Sequence, residues 1–184
     1  MRRTLASLAL AAVFGAADQF LGARGYLLGP WATEVSLLSA PWLLIAFLAG
    51  WSQPTARRAA VAGFACTVAA LVGYWVMTLS PVEGASVTLL GVRGLLLGQS
   101  AYLAGAVVTG PLFGWLGHRR RTRRDRASAL VAAAVVCCEP LAHALAGTRL
   151  SFSGVWRFEI VAGLAMALYA VSMTRPGTAR RHGG

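Results

Sequence analysis

The sequence predicts an all-α fold, an integral membrane six-helix bundle with both termini in the cytoplasm. Three observations support this prediction. Hydrophobic residues make up 57% of the 184 residues and charged residues only 12%, against about 25% in an ordinary soluble domain. The mean hydropathy is +0.63. The apolar residues fall in runs of about 20, the length that a helix needs to cross a bilayer, and most arginines lie between these runs.

Six apolar runs are expected to be the membrane spans. They cover residues 4–22, 33–51, 59–79, 95–117, 127–147 and 153–173. Because the connections are short, residues 1–174 are predicted to form a single six-span membrane domain, followed by a short basic cytoplasmic tail at 175–184. The first run resembles a secretory signal peptide, with two arginines ahead of an apolar stretch. We expect it to remain as a span, because its removal would spoil the pattern of charges.

The basic residues set the predicted orientation. All 17 are arginine, and together with abundant Ala, Gly, Val and Leu this indicates a bacterium with a GC-rich genome. With the N-terminus inside, 13 arginines lie in cytoplasmic segments and four in outer segments, as the positive-inside rule requires. The predicted location is therefore the bacterial cytoplasmic membrane. Six arginines lie in one loop that also suits anionic lipid headgroups: Arg119, Arg120, Arg121, Arg123, Arg124 and Arg126.

The high sequence pI, about 11.4, raises the question of nucleic-acid binding. No nucleic-acid-binding module accompanies the arginines, which lie in short loops between apolar runs. We therefore attribute the charge to membrane topology and expect no nucleic-acid partner.

Acidic residues concentrate toward the predicted outer side, since only Asp125 of the six lies in a cytoplasmic loop. Glu139 is the deepest, in the stretch VVCCEPLAHAL at 135–145. Counted from Ala127, it lies about 18 Å into a hydrocarbon core about 30 Å thick. A charge at that depth costs at least about 2.5–3.5 kcal/mol. Its carboxyl is therefore expected to face the bundle interior and to be paired, hydrated or protonated.

Two neighbours of Glu139 strengthen the prediction of a polar centre in this span. Pro140 cannot donate a hydrogen bond to the preceding turn, and His143 lies one turn further out on the same face. The stretch is either a functional site or a structural kink whose carboxyl bonds a neighbouring helix. A metal ion is not expected, because the adjacent Cys137 and Cys138 point about 100° apart on a helix and cannot easily join one ion.

Small residues recur at helical spacing in two spans and predict close helix contacts. The predicted packing positions are Gly15 in the first span, Ala106, Gly110, Pro111 and Gly114 in the fourth, and Pro140 in the fifth. Asp18 shares the small-residue face of the first span and is expected to point into the bundle.

No catalytic motif accompanies these features. The sequence contains no HExxH, GxSxG, P-loop or GxGxxG pattern, and its three histidines form no obvious cluster. We therefore expect a protein that is not an enzyme and that carries no cofactor.

Several segments together resemble an uncharacterised family of small membrane proteins from GC-rich bacteria, known only as a domain of unknown function. They are SLLSAPWLLIAFLAG, GYW, GPLFGWLGHRRR, the glutamate in the fifth span, and VWRFEIVAGLA. The resemblance covers most of the chain and implies no activity. The matching positions are Ser39, Pro41, Trp42, Tyr74, Gly110, Pro111, Gly114, Glu139 and Glu159.

The architecture is also similar to the substrate-binding subunits of energy-coupling-factor vitamin transporters, which have six spans and both ends inside. This likeness implies an outward-facing cavity that binds or transports a small polar or cationic solute. Its predicted substrate-binding residues are Asp18, Glu34, Trp42, Tyr74, Glu139, His143 and Glu159, with Arg157 as an internal counter-charge.

The alternative hypothesis is a membrane subunit without transport activity. In that case the buried polar residues only fasten helices, and the small-residue faces dock a partner membrane protein. The two hypotheses differ in geometry, because solute binding requires the acidic residues to converge on one cavity.

Overall fold

The computed structural model describes residues 2–145, 147 and 153–172, and every regular element in these residues is helical. The helices are α1 (Arg2–Ala23), α2 (Gly25–Leu28), α3 (Pro30–Ser36), α4 (Ala40–Trp51), α5 (Ala56–Thr78), α6 (Leu89–Gly98), α7 (Ser100–Arg123), α8 (Arg126–Leu145) and α9 (Ser153–Ser172). A 3-10 turn, Pro81–Glu83, follows α5. The predicted tail at 175–184 and most of the connection between the last two predicted spans lie outside the described residues.

Four helices are long and apolar enough to cross a membrane, namely α1, α5, α8 and α9. Two further pairs of helices meet the same criterion only when each pair is taken together. The pair α3 and α4 is bent by 43° at its junction, and the pair α6 and α7 by 58°. The described chain therefore has four to six candidate spans. The continuous helices predicted at 33–51 and 95–117 are replaced by broken pairs.

The break between α3 and α4 has a local cause. Pro41 lies in the first turn of α4, where its missing N–H and fixed φ favour a helix start. In a helix continuing from α3, the same residue would interrupt the backbone hydrogen bonds. The intervening residues 37–39 are Leu, Leu and Ser, so the chain stays largely apolar across the break.

A single residue, Gln99, separates α6 from α7. Helix α6 starts after Thr88, whose side chain accepts a hydrogen bond from the Gly91 N–H at 3.0 Å, and none of its residues is buried. Helix α7 continues for 24 residues and passes through Pro111. The predicted fourth span thus corresponds to α7 together with the end of a bent, exposed α6.

Glycines bring the central helices α1, α4, α5 and α7 into close contact. A Cβ added at Gly114 would overlap the carbonyl oxygen of Ala59, and a Cβ added at Gly15 would overlap that of Ala70. At Gly110 an added Cβ would crowd the Thr67 hydroxyl. These positions admit the neighbouring backbone only because they lack a side chain. Both small-residue faces are therefore occupied by contacts within the chain.

One end of the bundle, here called the arginine end, contains the loop between α7 and α8. The Arg121 guanidinium donates a hydrogen bond to the Trp51 carbonyl at 3.1 Å, which ties the end of α7 to the end of α4. Asp125 accepts a hydrogen bond from the Ala127 N–H at 3.2 Å and pairs with Arg119 at 2.7 Å. It thereby caps the start of α8.

At the opposite end, Arg24 joins the end of α1 to the turn after α5. Its guanidinium donates to the Val82 carbonyl at 2.9 Å and lies 3.5 Å from the Glu83 carboxylate. Helices α1 and α5 consequently run in the same direction, and both start toward the arginine end.

Candidate functional site

The Glu139 carboxylate lies at the start of α4, beside the break. Its Oε2 accepts a hydrogen bond from the Ala40 N–H at 2.7 Å, and its Oε1 accepts one from the Ser39 N–H. The first N–H groups of a helix have no partner within the helix and carry a partial positive charge. Glu139 supplies both the acceptors and the compensating charge from another helix, 100 residues away in the sequence.

The depth of this contact follows from the length of α4. The helix runs for 12 residues to Trp51 at the arginine end, which is about 18 Å. Glu139 therefore lies near the middle of the bundle, at the depth that the sequence predicts. It faces inward because it shares one face of α8 with the buried Ala132 and Val136.

A second buried carboxyl, that of Glu159, lies beside Glu139. Helix α9 packs on α8 through Gly163, where an added Cβ would overlap the Cys137 sulfur. Glu159 lies one turn before Gly163, is only 4% exposed, and comes within hydrogen-bonding reach of Glu139. Among the described residues, neither of its oxygens has a hydrogen-bond donor. Two carboxyls thus meet in the protein interior, and only one of them is matched by backbone N–H groups.

Further aromatic and acidic groups extend from this pair toward the end opposite the arginine loop. His143 Nε2 lies 3.7 Å from Glu139 Oε1, and the His143 ring centroid lies 5.0 Å from that of Trp156. The buried Trp156 N–H donates to Glu34 Oε2 at 2.8 Å. We call Glu34, Glu139, His143, Trp156 and Glu159 the carboxyl cluster.

Three further predicted residues, Asp18, Trp42 and Tyr74, form a second group together with Gln99, which was not predicted. We call this group the Trp42 cluster. The Trp42 indole lies beside the buried Asp18 carboxyl. The Trp42 and Tyr74 ring centroids are 6.2 Å apart, and Tyr74 lies beside the Gln99 side chain at the second helix break. Each cluster thus contacts a helix break.

The residues predicted to line one outward cavity divide between these two clusters in the described part of the chain. The larger of two clefts described here, of about 290 Å³, is lined by Ser39, Val135, Cys138, Glu139 and Ala142. Arg157 is exposed on α9, whereas its neighbour Trp156 and the nearby Glu159 are buried. It is therefore not placed as an internal counter-charge.

Two contributors to the site are not identifiable as such from the sequence alone. The Ser39 and Ala40 N–H groups belong to the backbone, so the residue types at these positions do not indicate a hydrogen-bond donor. Trp156 suggests a membrane-interface anchor, but it lies three residues before Glu159 and therefore on the same helix face. This spacing could have indicated that Trp156 lies near Glu159 in the bundle interior.

No metal centre is apparent in the described part of the chain. There, no group of three or more His, Cys, Asp or Glu side chains is placed to hold a metal ion. Cys66, Cys137 and Cys138 are free thiols.

A separate polar cleft, of about 120 Å³, lies at the arginine end. Its lining residues are Ala56, Trp115, His118, Arg119, Thr122 and Arg123. It brings the N-terminus of α5 next to basic side chains of α7.

These features define an all-helical protein with four to six apolar segments suited to crossing a membrane and with paired carboxyls in its interior. The chain belongs to a family of unknown function, DUF6518, whose model matches residues 1–182. This agrees with the resemblance to an uncharacterised family. Searches of curated proteins and of solved structures find no match to the chain.

Proposed function

We propose that the protein binds, and moves across the membrane, a small polar or cationic solute at the carboxyl cluster. The observation that carries this proposal is the buried Glu159 carboxyl, which has no hydrogen-bond donor among the described residues and lies beside the buried Glu139. A buried carboxylate without a partner is strongly unfavourable, so this arrangement calls for a bound cation or a shared proton.

The charges around the pair favour a ligand at Glu159 in particular. The Glu139 carboxylate is matched by two N–H groups and by the positive end of α4. Among the described residues, Glu159 has neither, and of the two carboxyls it is Glu139 that His143 approaches, at 3.7 Å. A cation bound between the two carboxyls would balance the second charge.

The helix break supports movement as well as binding. In many membrane transporters, discontinuous helices place half-helix ends at the substrate site near the middle of the bilayer. Here α3 and α4 meet in that way, and Glu139 holds their junction. A cation that attracts the Glu139 carboxylate would weaken its bonds to Ser39 and Ala40 and allow α3 to reorient.

The proposed orientation places the arginine end in the cytoplasm of a bacterium and the carboxyl cluster in the outer half of the bundle. The positive-inside rule supports it, because six arginines lie at this end, in the last turns of α7, in the loop and at the start of α8. With the broken pairs counted as one span each, both termini are then cytoplasmic. Glu34 would then lie on the outer side of Glu139, while Asp18 and Tyr74 belong to the separate Trp42 cluster. A site in the outer half is similar to the arrangement of energy-coupling-factor substrate-binding subunits.

We also propose an anionic lipid partner at the arginine end. The cleft there combines the start of α5 with Arg123 and His118, beside the interfacial Trp115, a combination suited to a phosphate group. If this is correct, native mass spectrometry should show that the wild type retains more phosphatidylglycerol than phosphatidylcholine. Arg123→Gln should lower the amount of retained phosphatidylglycerol and leave that of phosphatidylcholine unchanged. Equal retention of both lipids by the wild type would contradict the lipid proposal.

The alternative function is a scaffold that docks a partner membrane protein. The small-residue faces predicted for docking, at Gly15, Gly110 and Gly114, contact helices of the same chain. Open space remains at Gly94 and Gly98, four residues apart on the exposed α6, and these would be the docking positions. The scaffold hypothesis would be favoured if a partner protein co-purified with the wild type in stoichiometric amount and did not co-purify with the Gly94→Leu variant.

The solute proposal is tested by native mass spectrometry of protein purified from membranes. Wild type and Glu159→Gln are compared, with Glu83→Gln as the matched control, because Glu83 lies at the Arg24 pair outside the cluster. Each variant is then titrated with alkylammonium salts. We expect wild type and Glu83→Gln to retain a cationic species that Glu159→Gln loses. Absence of any ligand whose retention depends on Glu159 would refute the proposal.

A further inference from the structure

We infer that the solute is an amphipathic cation that reaches Glu139 sideways from the bilayer, with its charged group at the carboxyl cluster and its apolar part in lipid. This inference rests on the proposed cation site. It adds a substrate class and a route of entry, which the site alone does not give.

The first support is the position of the larger cleft. It lies at the level of the α3 and α4 junction, between Ser39 and the α8 residues Val135, Cys138, Glu139 and Ala142. Cys138 and Ala142 are one turn apart and are exposed. They share the face of α8 that turns away from the other helices, together with exposed residues at 131, 134, 141 and 145. In a membrane span that face contacts lipid, so the cleft opens into the bilayer.

The second support is the distribution of polarity in the cleft. Glu139 lies on one wall beside Ser39, while Val135, Cys138 and Ala142 form apolar walls. A hydrated inorganic ion would lose water molecules along these apolar walls, and no polar groups there would replace them. An alkylammonium ion keeps its charge at the carboxylate and its chain against apolar atoms.

The third support is that the route from the outer end is covered. The Trp156 indole is hydrogen-bonded to Glu34, and the His143 ring lies against Trp156, between that end and Glu139. In this conformation the larger cleft reaches Glu139 from the side, past Val135, Cys138 and Ala142 of α8. Its volume, about 290 Å³, suits a compact headgroup with a few carbons, and the rest of a longer chain would lie in lipid.

Cys138 provides a reporter inside the cleft. In proteoliposomes of a variant with Cys66→Ala and Cys137→Ala, the rate of maleimide labelling at Cys138 is measured with three additives. These are decyltrimethylammonium, tetramethylammonium and decanol, which represent the whole amphiphile, its head and its tail. The matched control moves the thiol one turn along the same exposed face, as Ala134→Cys with Cys138→Ala.

We expect decyltrimethylammonium alone to slow labelling of Cys138, by about elevenfold at ten times its Kd, with no effect on the cysteine at 134. Adding Glu159→Gln should abolish that protection. Equal protection by tetramethylammonium would refute the inference that the substrate is amphipathic, but it would remain consistent with the proposed cation site. Equal protection by decanol, or none by any additive, would refute the inference. If native mass spectrometry also finds no Glu159-dependent ligand, the proposed function fails with it.

Discussion

Replacement of Glu139 should separate its structural contribution from that of Glu159. In Glu139→Ala, the Ser39 and Ala40 N–H groups lose their acceptors in the bundle interior. A hydrogen bond to a charged group contributes about 1.5–3 kcal/mol, and an unsatisfied buried donor costs a similar amount. Because the two bonds share one carboxylate, their contributions do not simply add, and we expect a loss of about 3–5 kcal/mol in the free energy of unfolding.

Glu139→Gln should lie between the alanine variant and the wild type. From the sequence alone, the same-sized amide is predicted to preserve folding. The structure changes that expectation, because both carboxylate oxygens accept a backbone N–H, whereas the amide has one oxygen and an NH₂ that would face a second donor. We expect a loss of about 1.5–3 kcal/mol, the contribution of one charged hydrogen bond.

Glu159→Gln is the informative comparison, since it makes the same chemical change in the neighbouring carboxyl. Glu159 has no donor to lose among the described residues, and its neutralisation removes repulsion from Glu139. Its unfolding free energy should stay within about 0.5 kcal/mol of wild type or rise. Reversible unfolding by SDS in mixed micelles, followed by circular dichroism, measures all three variants. Equal losses in the two glutamine variants would refute the argument that α4 depends on Glu139.

Two further predictions concern packing and topology. Gly114→Ala should destabilise the bundle by about 1–3 kcal/mol, because its Cβ would overlap the Ala59 carbonyl. Gly105→Ala in the same helix has open space around the new Cβ and should be neutral or stabilising. Similar changes in unfolding free energy for both variants would contradict close packing at Gly114. In a cysteine-free background, Thr122→Cys should label from the cytoplasm and Ser86→Cys from outside, both positions being exposed. Labelling of both from one side would overturn the proposed orientation.

The structure also improves the design of that labelling experiment. Ser128 is a natural choice from the sequence, but it is buried and its hydroxyl bonds Asp125 at 2.8 Å. Gly84 has φ +72°, which disfavours a cysteine there. Thr122 and Ser86 avoid both difficulties while reporting on the same two ends.

Hydropathy predicts four of the helices well, because α1, α5, α8 and α9 are each long and apolar enough to cross a membrane, even with an acidic residue inside α1, α8 and α9. It does not predict the breaks, since residues 37–39 remain largely apolar and a single glutamine at 99 changes a window average little. Pro41 was the usable signal, as proline favours the first turn of a helix over its interior.

The candidate site was predictable in depth but not in its partners. Counting residues places Glu139 near the middle of the membrane, and the cost of burying charge turns it inward. Which groups donate hydrogen bonds to the Glu139 carboxylate depends on how α4 packs against α8. Because these donors are backbone N–H groups, the residue types do not indicate them. Arg157 shows the converse error: its charge suggested a counter-ion, but its position on α9 directs it outward.

The two helix breaks give the bundle a stiff half and a soft half. Toward the arginine end, α4, α5 and α7 interlock through glycine backbones, so their amides should open rarely and exchange slowly with deuterium. Beyond the breaks, α3 has seven residues and α6 buries none of its side chains, so their amides should exchange much faster. We therefore expect any change of shape to occur in α3 and α6, with the packed helices at the arginine end unchanged.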